Sequence, residues 1–263
     1  MTKIIIQGAG TVGKSTEMFL KQYNTELDIV FNDPAKDLTA NGDDWKEAKW
    51  VIICVNTDLD ENLTLPENNT INLDAAINQA LENKFEGGIV IRSTIGVECA
   101  TLLLKQLGQN LIMWPEYIRE ATWQEDSIDP KFVILGGDKA EEFANIFVEY
   151  KGNTFITDPV EAMIAKLSTN TFLAMKVIFA NQLKQLCDAN NADYNVVSSL
   201  LKNEGRLGPT HWDVPGPDGQ LGFGGKCFPK DTRTFETALV KCNIHIDLIR
   251  AITDINSTIR PDQ

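Results

Sequence analysis

Residues 1–157 alternate short apolar runs with amphipathic stretches, and this alternation constrains the fold more than any other feature. The runs that we interpret as buried strands cover residues 4–6, 29–31, 51–55, 89–91, 111–113 and 132–135. They are continuously apolar, as strands are when helices cover both faces of a parallel sheet. Helical patterns separate several of them, for example at 75–81 and 140–147. The sequence therefore predicts an α/β domain with a Rossmann-type, doubly wound parallel sheet.

The pattern changes at Asp158, where a long helix is predicted to begin. Asp158 is placed to cap the helix, Pro159 suits its first position, and Glu161 can reach back to the backbone of the cap. No Gly or Pro interrupts the sequence from there to about Asn190, and apolar residues recur with a helical period. We predict one helix of about eight or nine turns at the start of a mostly helical second domain, residues 158–263.

The rest of this domain is predicted as shorter helices around one long loop. The helical patterns cover residues 194–201, 234–242 and 244–255, and a helix start is indicated near 229–231. Residues 205–229 are dense in Gly and Pro, and loops of that length within compact domains are usually functional or disordered. We therefore expect ligand-binding or catalytic residues in this loop.

The charge balance and the cysteine pattern exclude several classes of function. The formal net charge of -13 disfavours a general binder of nucleic acid or of anionic membranes, because both require a positively charged surface. The five cysteines are widely spaced without a C-x-x-C pair, and only two histidines are present, so neither disulfides nor a metal site is predicted. The N-terminal run is too short for a signal peptide and no apolar stretch reaches the length of a membrane span, so we expect a cytoplasmic protein.

A glycine turn follows the first predicted strand and opens a helical pattern. Gly8, Gly10 and Gly13 form a G-x-G-x-x-G string, and Asp33 stands after the second strand. In this context the first glycine allows a tight turn, the second lets the backbone approach a pyrophosphate, and the third allows the helix to pack closely. The helix N-terminus attracts phosphates, and the Asp33 carboxylate binds ribose hydroxyls and repels a 2′-phosphate, so NAD is predicted. The alternative is a glycine turn that binds no ligand.

The stretch GFGGKCFPKD, residues 222–231, is the most informative part of the long loop. Its glycines let the backbone come close to a ligand. Cys227 stands between these glycines and a predicted helix, with Lys226 and Lys230 nearby. A helix N-terminus and cations favour the thiolate, which is the nucleophilic form, and Asp231 is placed to move a proton or orient water. The alternative is a small buried cysteine, and we interpret the other four cysteines in that way.

Five stretches together resemble those of a known family. The most specific is the string G-F-G-G-x-C-x-P-K-D of residues 222–231, preceded by V-P-G-P-D-G at 214–219. Residues 92–94 are similar to a Ser-Thr element after a core strand, and residues 115–120 to a Pro-Glu-x-x-x-Glu element. Residues 161–181 resemble a central helix that carries a Lys and an Asn one turn apart. On these motifs the chain resembles the UDP-glucose/GDP-mannose dehydrogenase family over nearly its whole length.

The resemblance implies that the primary alcohol at C6 of a nucleotide sugar is oxidised twice, with two NAD molecules reduced. Cys227 is then the nucleophile that holds the aldehyde as a thiohemiacetal and, after the second oxidation, the acid as a thioester. Lys166 and Asn170, at i and i+4 on one helix face, are then the donors to the oxyanion of the covalent adduct. By the same resemblance, water, protons and sugar hydroxyls are handled by Thr94, Glu116, Glu120 and Asp231.

The resemblance also assigns residues to the cofactor and to the substrate. The implied NAD contacts are Gly8, Gly10, Thr11, Val12, Gly13, Asp33, Asn56, Thr57, Ser93, Thr94, Glu120 and Lys230. The implied substrate contacts are Glu116, Lys166, Asn170, Arg206, Phe223 and Gly224. Arg206 is similar to an arginine that reaches into a neighbouring subunit's site. A homodimer through the apolar long helix and a role in polysaccharide biosynthesis are further expectations.

Three functional hypotheses remain open. The first is an NAD-dependent nucleotide-sugar 6-dehydrogenase, with UDP-glucose preferred as substrate over GDP-mannose or an acetamido sugar. The second is a non-catalytic or incomplete NAD-binding core that needs a separate nucleotide-binding partner. It follows from the end of the sequence at Gln263, from which we expect a short form without the family's C-terminal nucleotide-binding domain. The third is a one-step hydroxyacid-type dehydrogenase, which would not need Cys227.

Overall fold

The computed structural model describes residues 1–60, 67–68, 70–119 and 122–261 of the chain. Among these, the residues up to Lys166 form one compact unit and those from Leu167 onward form a second. The first unit has two apolar clusters and the second has one of its own. We describe the two units separately.

The first unit is built on a β-sheet. Its strands within the described residues are β1 Lys3–Gln7, β2 Asp28–Asn32, β3 Ala48–Ile53, β4 Leu59–Asp60, β5 Glu67–Asn68, β6 Gly88–Ile91, β7 Leu111–Met113, β8 Phe132–Gly136 and β9 Asn153–Thr157. One sheet has the order β2-β1-β3-β6-β7-β8-β9, and β4 pairs with β5. The strands from β2 to β7 in this order run parallel, whereas β8 and β9 run in the opposite direction. The predicted Rossmann-type α/β fold is confirmed, with a mixed sheet in place of a purely parallel one.

Helices follow the strands and make up most of the second unit. The described α-helices are α1 Thr11–Tyr23, α2 Gly42–Glu47, α3 Ile71–Glu82, α4 Val97–Leu107, α5 Trp123–Ile128, α6 Ala140–Ala144, α7 Pro159–Ala189, α8 Tyr194–Asn203, α9 Phe228–Lys241 and α10 Asp247–Ile259. All six predicted strands and the predicted long helix are present. The pattern at 234–242 covers the C-terminal half of α9, and the helix start indicated near 229–231 is confirmed, because α9 begins at Phe228, directly before Pro229. The last helix begins at Asp247, three residues later than predicted.

The outermost strands explain what the sequence prediction missed. Strand β9 was not predicted, because it is an edge strand whose residues are largely exposed and which therefore lacks a continuous apolar run. Phe155, in its middle, is 53% exposed. Strand β2, at the other edge, is half-buried rather than buried as predicted. Continuous apolar runs therefore identified the central strands of this sheet best.

Alternate side chains of the central strands fill two separate apolar layers, one on each face of the sheet. Ile5 and Val51 belong to one layer, and Ile6 and Ile52 belong to the other. All four are fully buried. Strand β1 lies between β2 and β3, so the chain first moves to one side of β1 and then to the other. Ligands of open α/β sheets bind beyond the carboxyl ends of the strands at such a reversal of strand order. The segments that follow β1 and β3 are therefore the first places to examine for a site.

The start of α7 matches the prediction from its sequence. The Asp158 carboxylate accepts a hydrogen bond from the Val160 backbone N–H at 2.8 Å. The Asp158 N–H in turn donates to the Glu161 carboxylate at 3.2 Å. The first bond satisfies a backbone donor that a helix start leaves unpaired, and the second holds the backbone of the cap residue.

Helix α7 corrects the expectation that no apolar stretch reaches the length of a membrane span. With 31 residues and a mean hydropathy of 1.2 over its most apolar window, it is long and apolar enough to cross a membrane. Half of that window is buried inside the fold, however, and a core helix of a soluble protein passes the same test. Buried Lys166, Asn170, Lys176 and Asn181 interrupt its apolar sequence, which is costly for a helix in lipid. This helix is therefore weak evidence for a membrane protein.

An aromatic cluster closes one face of the first unit. Phe19 packs edge-on against Trp114, Phe147 and Tyr150 at ring distances of 5.0 to 5.5 Å. The Tyr150 hydroxyl donates a hydrogen bond of 2.6 Å to the Pro130 carbonyl. Burial of the phenol in this cluster raises the pKa of Tyr150 from 10.0 to about 12.

This pKa shift predicts how the first unit responds to alkaline pH. An acid with a raised pKa in the folded state contributes stability that is present below the unfolded pKa, here about 10, and is lost as pH rises through the folded pKa of about 12. We expect Tyr150→Phe to lose the Pro130 hydrogen bond, about 1 kcal/mol, at neutral pH. Above pH 10 its free energy of unfolding should fall less steeply than that of the wild type. Urea titrations from pH 8 to pH 11.5 measure the free energy of unfolding of both proteins. An equal decrease with pH in the two proteins would contradict the raised pKa of Tyr150.

Candidate active site

The glycine turn between β1 and α1 contains glycines of two kinds. Gly8 has a φ of +97°, and a Cβ there would lie 2.7 Å from the Cys54 carbonyl oxygen. A Cβ on Gly13 would lie 2.0 Å from the Gly8 carbonyl oxygen. A Cβ on Gly10, in contrast, would meet no atom within 4 Å. The chain's own packing therefore requires Gly8 and Gly13, whereas Gly10 leaves room beside the backbone for a bound group such as a pyrophosphate.

Asp33, at the carboxyl end of β2, is tied to this turn. Its carboxylate accepts a hydrogen bond of 2.8 Å from the Ala9 backbone N–H. Lys36 donates to the Ala9 carbonyl at 2.7 Å and lies 3.6 Å from the Asp33 carboxylate. The following helix begins at Thr11 and has no acidic residue in its first turn. The backbone N–H groups of Thr11 and Val12 therefore lie at an electropositive helix N-terminus. This geometry fits the phosphates and ribose of a dinucleotide.

A second group of predicted residues lies after β3 and β6, which are neighbouring strands. The Ser93 hydroxyl donates to the Val55 carbonyl at 2.6 Å, and the Thr57 hydroxyl donates to the Thr94 carbonyl at 2.6 Å. Ser93, Thr94 and Thr57 are buried, whereas Asn56 is exposed. These bonds join the two loops at the carboxyl edge of the sheet, on the same side as the glycine turn.

Lys166 is a buried lysine with a carboxylate partner. Its side chain is 3% exposed, and its Nζ lies 3.5 Å from Glu116 Oε1 and 5.0 Å from the centre of the Tyr117 ring. The second Glu116 oxygen accepts a hydrogen bond of 2.9 Å from the Ile118 N–H. Glu120, predicted beside it, lies outside the described residues. A lysine buried in this way does not serve solubility. It is either a chemically functional group or one half of a buried ion pair.

Arg92 is a buried cation to which the sequence analysis gave no role. Its Nε donates to the Thr16 hydroxyl at 3.1 Å, and its Nη1 donates to the Trp114 carbonyl at 3.3 Å. Its guanidinium lies 4.0 Å from the centre of the Trp114 ring. Burial lowers the pKa of Arg92, and burial also raises the pKa of neighbouring Cys54 to about 11, so that Cys54 stays a thiol. The available sequence signal was an arginine directly after a wholly apolar strand.

In the second unit, Asn170 of α7 and Asp231 of α9 are joined by a hydrogen bond. Asn170 Nδ2 donates to Asp231 Oδ2 at 2.6 Å, and Lys230 Nζ donates to the other carboxylate oxygen at 2.7 Å. Asp231 is 1% exposed. Its backbone N–H donates to the Cys227 carbonyl at 2.8 Å. Cys227 directly precedes α9 and is exposed. The buried Asn170–Asp231 pair therefore holds α9 in place, and the Cys227 thiol lies at the N-terminus of that helix.

The segment before Cys227 is held by two buried asparagines. Asn256 Oδ1 accepts from the Phe223 N–H at 2.8 Å, and Asn256 Nδ2 donates to the Phe223 carbonyl at 3.0 Å. Asn181 Oδ1 accepts from the Gly222 N–H at 3.2 Å. The Phe223 side chain lies in the apolar core of this unit, and Gly224 follows it half-buried. Neither asparagine is predicted from the sequence to have a role.

Arg206 lies apart from these groups, on the surface. Its side chain is 87% exposed and pairs with Glu204. The two residues that follow it are fixed by buried Lys176, which donates to the carbonyls of Leu207 and Gly208 at 2.9 Å each. Burial lowers the pKa of Lys176. The contact of Arg206 with a neighbouring subunit stays a prediction.

Together these observations define a class. A sheet whose first strands run parallel, with a glycine turn after its first strand that is bonded to an acidic residue after its second, is the arrangement of a Rossmann-type nucleotide-binding fold. The buried lysine and asparagine of α7 and the exposed thiol before α9 stay predicted catalytic groups. Within the described residues, no group of three or more His, Cys, Asp or Glu side chains is arranged to hold a metal ion.

Comparison with known proteins narrows this class. The family model described as "UDP-glucose/GDP-mannose dehydrogenase family, central domain" matches residues 160–258. A UDP-glucose 6-dehydrogenase of Streptococcus pneumoniae is 25% identical over 299 aligned positions, which cover 97% of this chain and 73% of that protein. Residues 160–258 are therefore similar to the central domain of that family, and the relatives that the whole chain resembles are named as UDP-glucose 6-dehydrogenases. Several other curated relatives align over only 32 to 40% of their own length.

Solved structures agree on the fold. A UDP-glucose dehydrogenase from Pyrobaculum islandicum superposes with a TM-score of 0.82 at 19% identity, covering 98% of this chain and 68% of that one. A 3-hydroxyisobutyrate dehydrogenase from Mycobacterium tuberculosis superposes with a TM-score of 0.77 at 15% identity, covering 100% of this chain and 94% of that one. At these identities the comparison shows a shared fold and leaves the reaction open.

The two kinds of glycine predict different effects of the same substitution. Gly13→Ala places a methyl group against a backbone oxygen that cannot move without opening the turn, so we expect a loss of about 1–3 kcal/mol or more in the free energy of unfolding. Gly10→Ala meets open space and should cost no more than about 1 kcal/mol, the difference between Gly and Ala as helix caps. Urea denaturation measures both. Equal losses would show that the turn is not packed as described.

Proposed function

We propose that this chain is an NAD-dependent nucleotide-sugar 6-dehydrogenase that oxidises UDP-glucose to UDP-glucuronate. The observation that carries the proposal is Cys227, an exposed thiol directly before α9, whose first turn holds the buried Asp231 that is bonded to Asn170 of α7. A dehydrogenase that stops at an aldehyde has no use for a nucleophile. A thiol allows the aldehyde to be captured and oxidised again.

In this proposal the first domain, residues 1–157, binds NAD. Bound NAD supplies the acceptor for each hydride that leaves C6. The phosphates bind at the Gly10 backbone and the N–H groups of Thr11 and Val12, and Asp33 binds the adenosine ribose. Its carboxylate disfavours a 2′-phosphate, which favours NAD over NADP. Further proposed contacts are Gly8, Gly13, Asn56, Thr57, Ser93, Thr94, Glu120 and Lys230.

Cys227 performs the covalent chemistry on the substrate. After the first hydride and the hydroxyl proton leave, the Cys227 sulfur adds to the C6 aldehyde, its proton passes to the oxygen, and a thiohemiacetal forms. Loss of a second hydride and of that hydroxyl proton gives a thioester. Water then adds to the carbonyl carbon, the C–S bond breaks, and the carboxylate leaves with the thiol restored. Thr94, Glu116, Glu120 and Asp231 orient water and take up protons.

Lys166 and Asn170 are the proposed donors to the oxygen of the covalent adduct. Donors that are held in place before the reaction stabilise a developing oxyanion without reorganising, and one such donor is worth about 10²–10³ in kcat. Glu116 holds the ammonium of Lys166, and Asp231 holds one amide hydrogen of Asn170. The other hydrogens of the Lys166 ammonium and of the Asn170 amide then donate to the substrate. Arg206, Phe223 and Gly224 are further proposed substrate contacts.

Two other functions compete with this one. A one-step hydroxyacid-type dehydrogenase is favoured by the whole-chain likeness to the 3-hydroxyisobutyrate dehydrogenase, which extends over 94% of that protein. An NAD-binding core that needs a separate nucleotide-binding partner is the second alternative. GDP-mannose and acetamido sugars are the alternative substrates.

The assembly proposed is a cytoplasmic homodimer formed through the second domain, residues 158–263. Phe172, Phe179 and Leu186 recur at intervals of seven along α7, and each is more than half exposed. Val196 and Leu200 of α8 are also more than half exposed. A row of large apolar side chains at this spacing is the pattern by which two helices pack against each other.

The stoichiometry of NADH formation tests the reaction. We expect two NADH and one UDP-glucuronate per UDP-glucose consumed, with GDP-mannose and UDP-acetamido sugars as comparison substrates. Cys227→Ser should lower turnover by orders of magnitude, as loss of a covalent nucleophile does in other enzymes. Cys242→Ser, at the other end of α9 and also exposed, is the matched control and should keep full turnover.

Each competing function gives a different result in this experiment. One NADH per substrate, with Cys227→Ser unimpaired, would replace the proposal with a one-step dehydrogenase. No NADH from any sugar, with NAD still bound in calorimetry, would identify an incomplete core.

The oligomer has its own test. Phe172→Glu combined with Phe179→Glu places two charges on the proposed interface, so we expect the dimer to become a monomer. Leu248→Glu is the matched control, because Leu248 of α10 is as exposed but does not belong to the apolar row. Light scattering at micromolar concentration reads the mass. A wild-type monomer at that concentration would refute the dimer.

A further inference from the structure

The loop that carries the exposed thiol is fixed by side chains that no step of the reaction uses. Among the residues that the structure describes, the side chains of Asn181 and Asn256 form hydrogen bonds with backbone: Asn181 bonds Gly222 and Val177, and Asn256 bonds both polar atoms of Phe223. Side chains whose hydrogen bonds go to backbone do not recognise a substrate or another side chain through those bonds. Their contribution is to hold one conformation of the chain.

The geometry points to a matched pair of contacts. Asn256 presents its carbonyl and its NH₂ to the Phe223 N–H and carbonyl at 2.8 and 3.0 Å, as a neighbouring β-strand would. A Cβ on Gly222 would lie 2.4 Å from Asn256 Oδ1, and Gly222 has a φ of +68°. The glycine is thus required by the asparagine, because a side chain there would displace the amide.

Both amides are buried, which makes the contacts strong and specific. Asn181 is 4% exposed and Asn256 is 6% exposed, beside an apolar cluster that includes Phe223, Ile249 and Ile252. An amide buried without partners is costly, so these side chains are stable there only while the loop backbone accepts and donates as described. The loop and the two helices therefore hold one another in a single arrangement.

Cys227 is the next fixed point along the chain. Its carbonyl accepts the Asp231 N–H at the start of α9, and only Gly224, Gly225 and Lys226 separate it from Phe223. The short segment is thus tied to α10 and α7 at one end and to α9 at the other. The position of the thiol follows from these two ends.

We propose that Asn181 and Asn256 are positioning residues that act through residues 222–226 to hold the Cys227 thiol in its reactive place. This inference rests on the proposed function, because it gives that thiol a task. Without the two asparagines the segment gains conformational freedom, and the thiol spends less time at the helix N-terminus, where the nucleophilic form is favoured.

The test compares two exposed thiols in one molecule. Native protein is treated with iodoacetamide, and the alkylation rates of Cys227 and Cys242 are followed by peptide mass mapping. In Asn256→Ala and in Asn181→Ala we expect the ratio of the Cys227 rate to the Cys242 rate to fall by about fivefold or more. In the same variants kcat should fall while the Kd for NAD stays unchanged.

Ile252→Ala is the matched control for a merely structural role. Ile252 lies one turn before Asn256 on α10, in the same apolar cluster, so its truncation loosens the core without removing a hydrogen bond to the loop. The rate ratio should stay within about twofold of wild type in this variant. An equal fall of the rate ratio in Ile252→Ala would overturn the proposal, and so would a common rise of both alkylation rates in the asparagine variants. Either result would mean that the asparagines only stabilise the fold.

The two asparagine variants keep the proposal falsifiable if one of them fails to fold. An unchanged ratio in either folded variant would overturn it for that residue. Alkylation needs no turnover, so the result stands even if Cys227→Ser proves active and the proposed function fails. If Cys227 proves essential but the ratio does not move, the positioning role alone is wrong.

Discussion

Polar side chains buried along α7 are the constraint on which the rest of the structure depends. A charge or an amide taken out of water is costly unless a partner replaces the lost hydrogen bonds. Lys166 is met by Glu116, Asn170 by Asp231, and Asn181 by a loop backbone. Each partner comes from a segment distant in sequence, so each contact fixes that segment against α7 within its own unit. The same helix buries apolar residues such as Met163, Leu167 and Ile178, and it also leaves Phe172, Phe179 and Leu186 more than half exposed.

This arrangement couples stability to chemistry at most of the candidate site. Asp231 is almost fully buried and bonds both Asn170 and Lys230, so removal of either donor leaves a carboxylate short of partners. A loss of activity on such a substitution therefore mixes a lost catalytic contact with a loosened fold. Cys227 is different, because it is exposed and its side chain fills no core position. Its substitution separates the chemistry from the fold, which makes it the most informative residue in the molecule.

The sequence predicted the parts of the fold in which local pattern and burial agree. Central strands such as β3 are buried on both faces and show as apolar runs, whereas β9 is an exposed edge and shows no such run. The reversed direction of β8 depends on pairing and has no local signal. At the site, the glycine and cysteine strings were visible because their spacing is specific. Asn256 and Arg92 were not, because a helical or strand period assigns polar residues to the surface, and here burial is set by distant partners.

The case for a bound dinucleotide depends on what the chain's own packing leaves unexplained. A string of three glycines is weak evidence, because turns and close contacts require glycine without any ligand. In this turn Gly8 and Gly13 are fully accounted for by contacts with Cys54 and with each other. Gly10 is not, since its conformation is open to any residue and nothing in the described structure crowds it. The open space beside Gly10 therefore supports the proposed dinucleotide, because a helix N-terminus such as the start of α1 attracts phosphates.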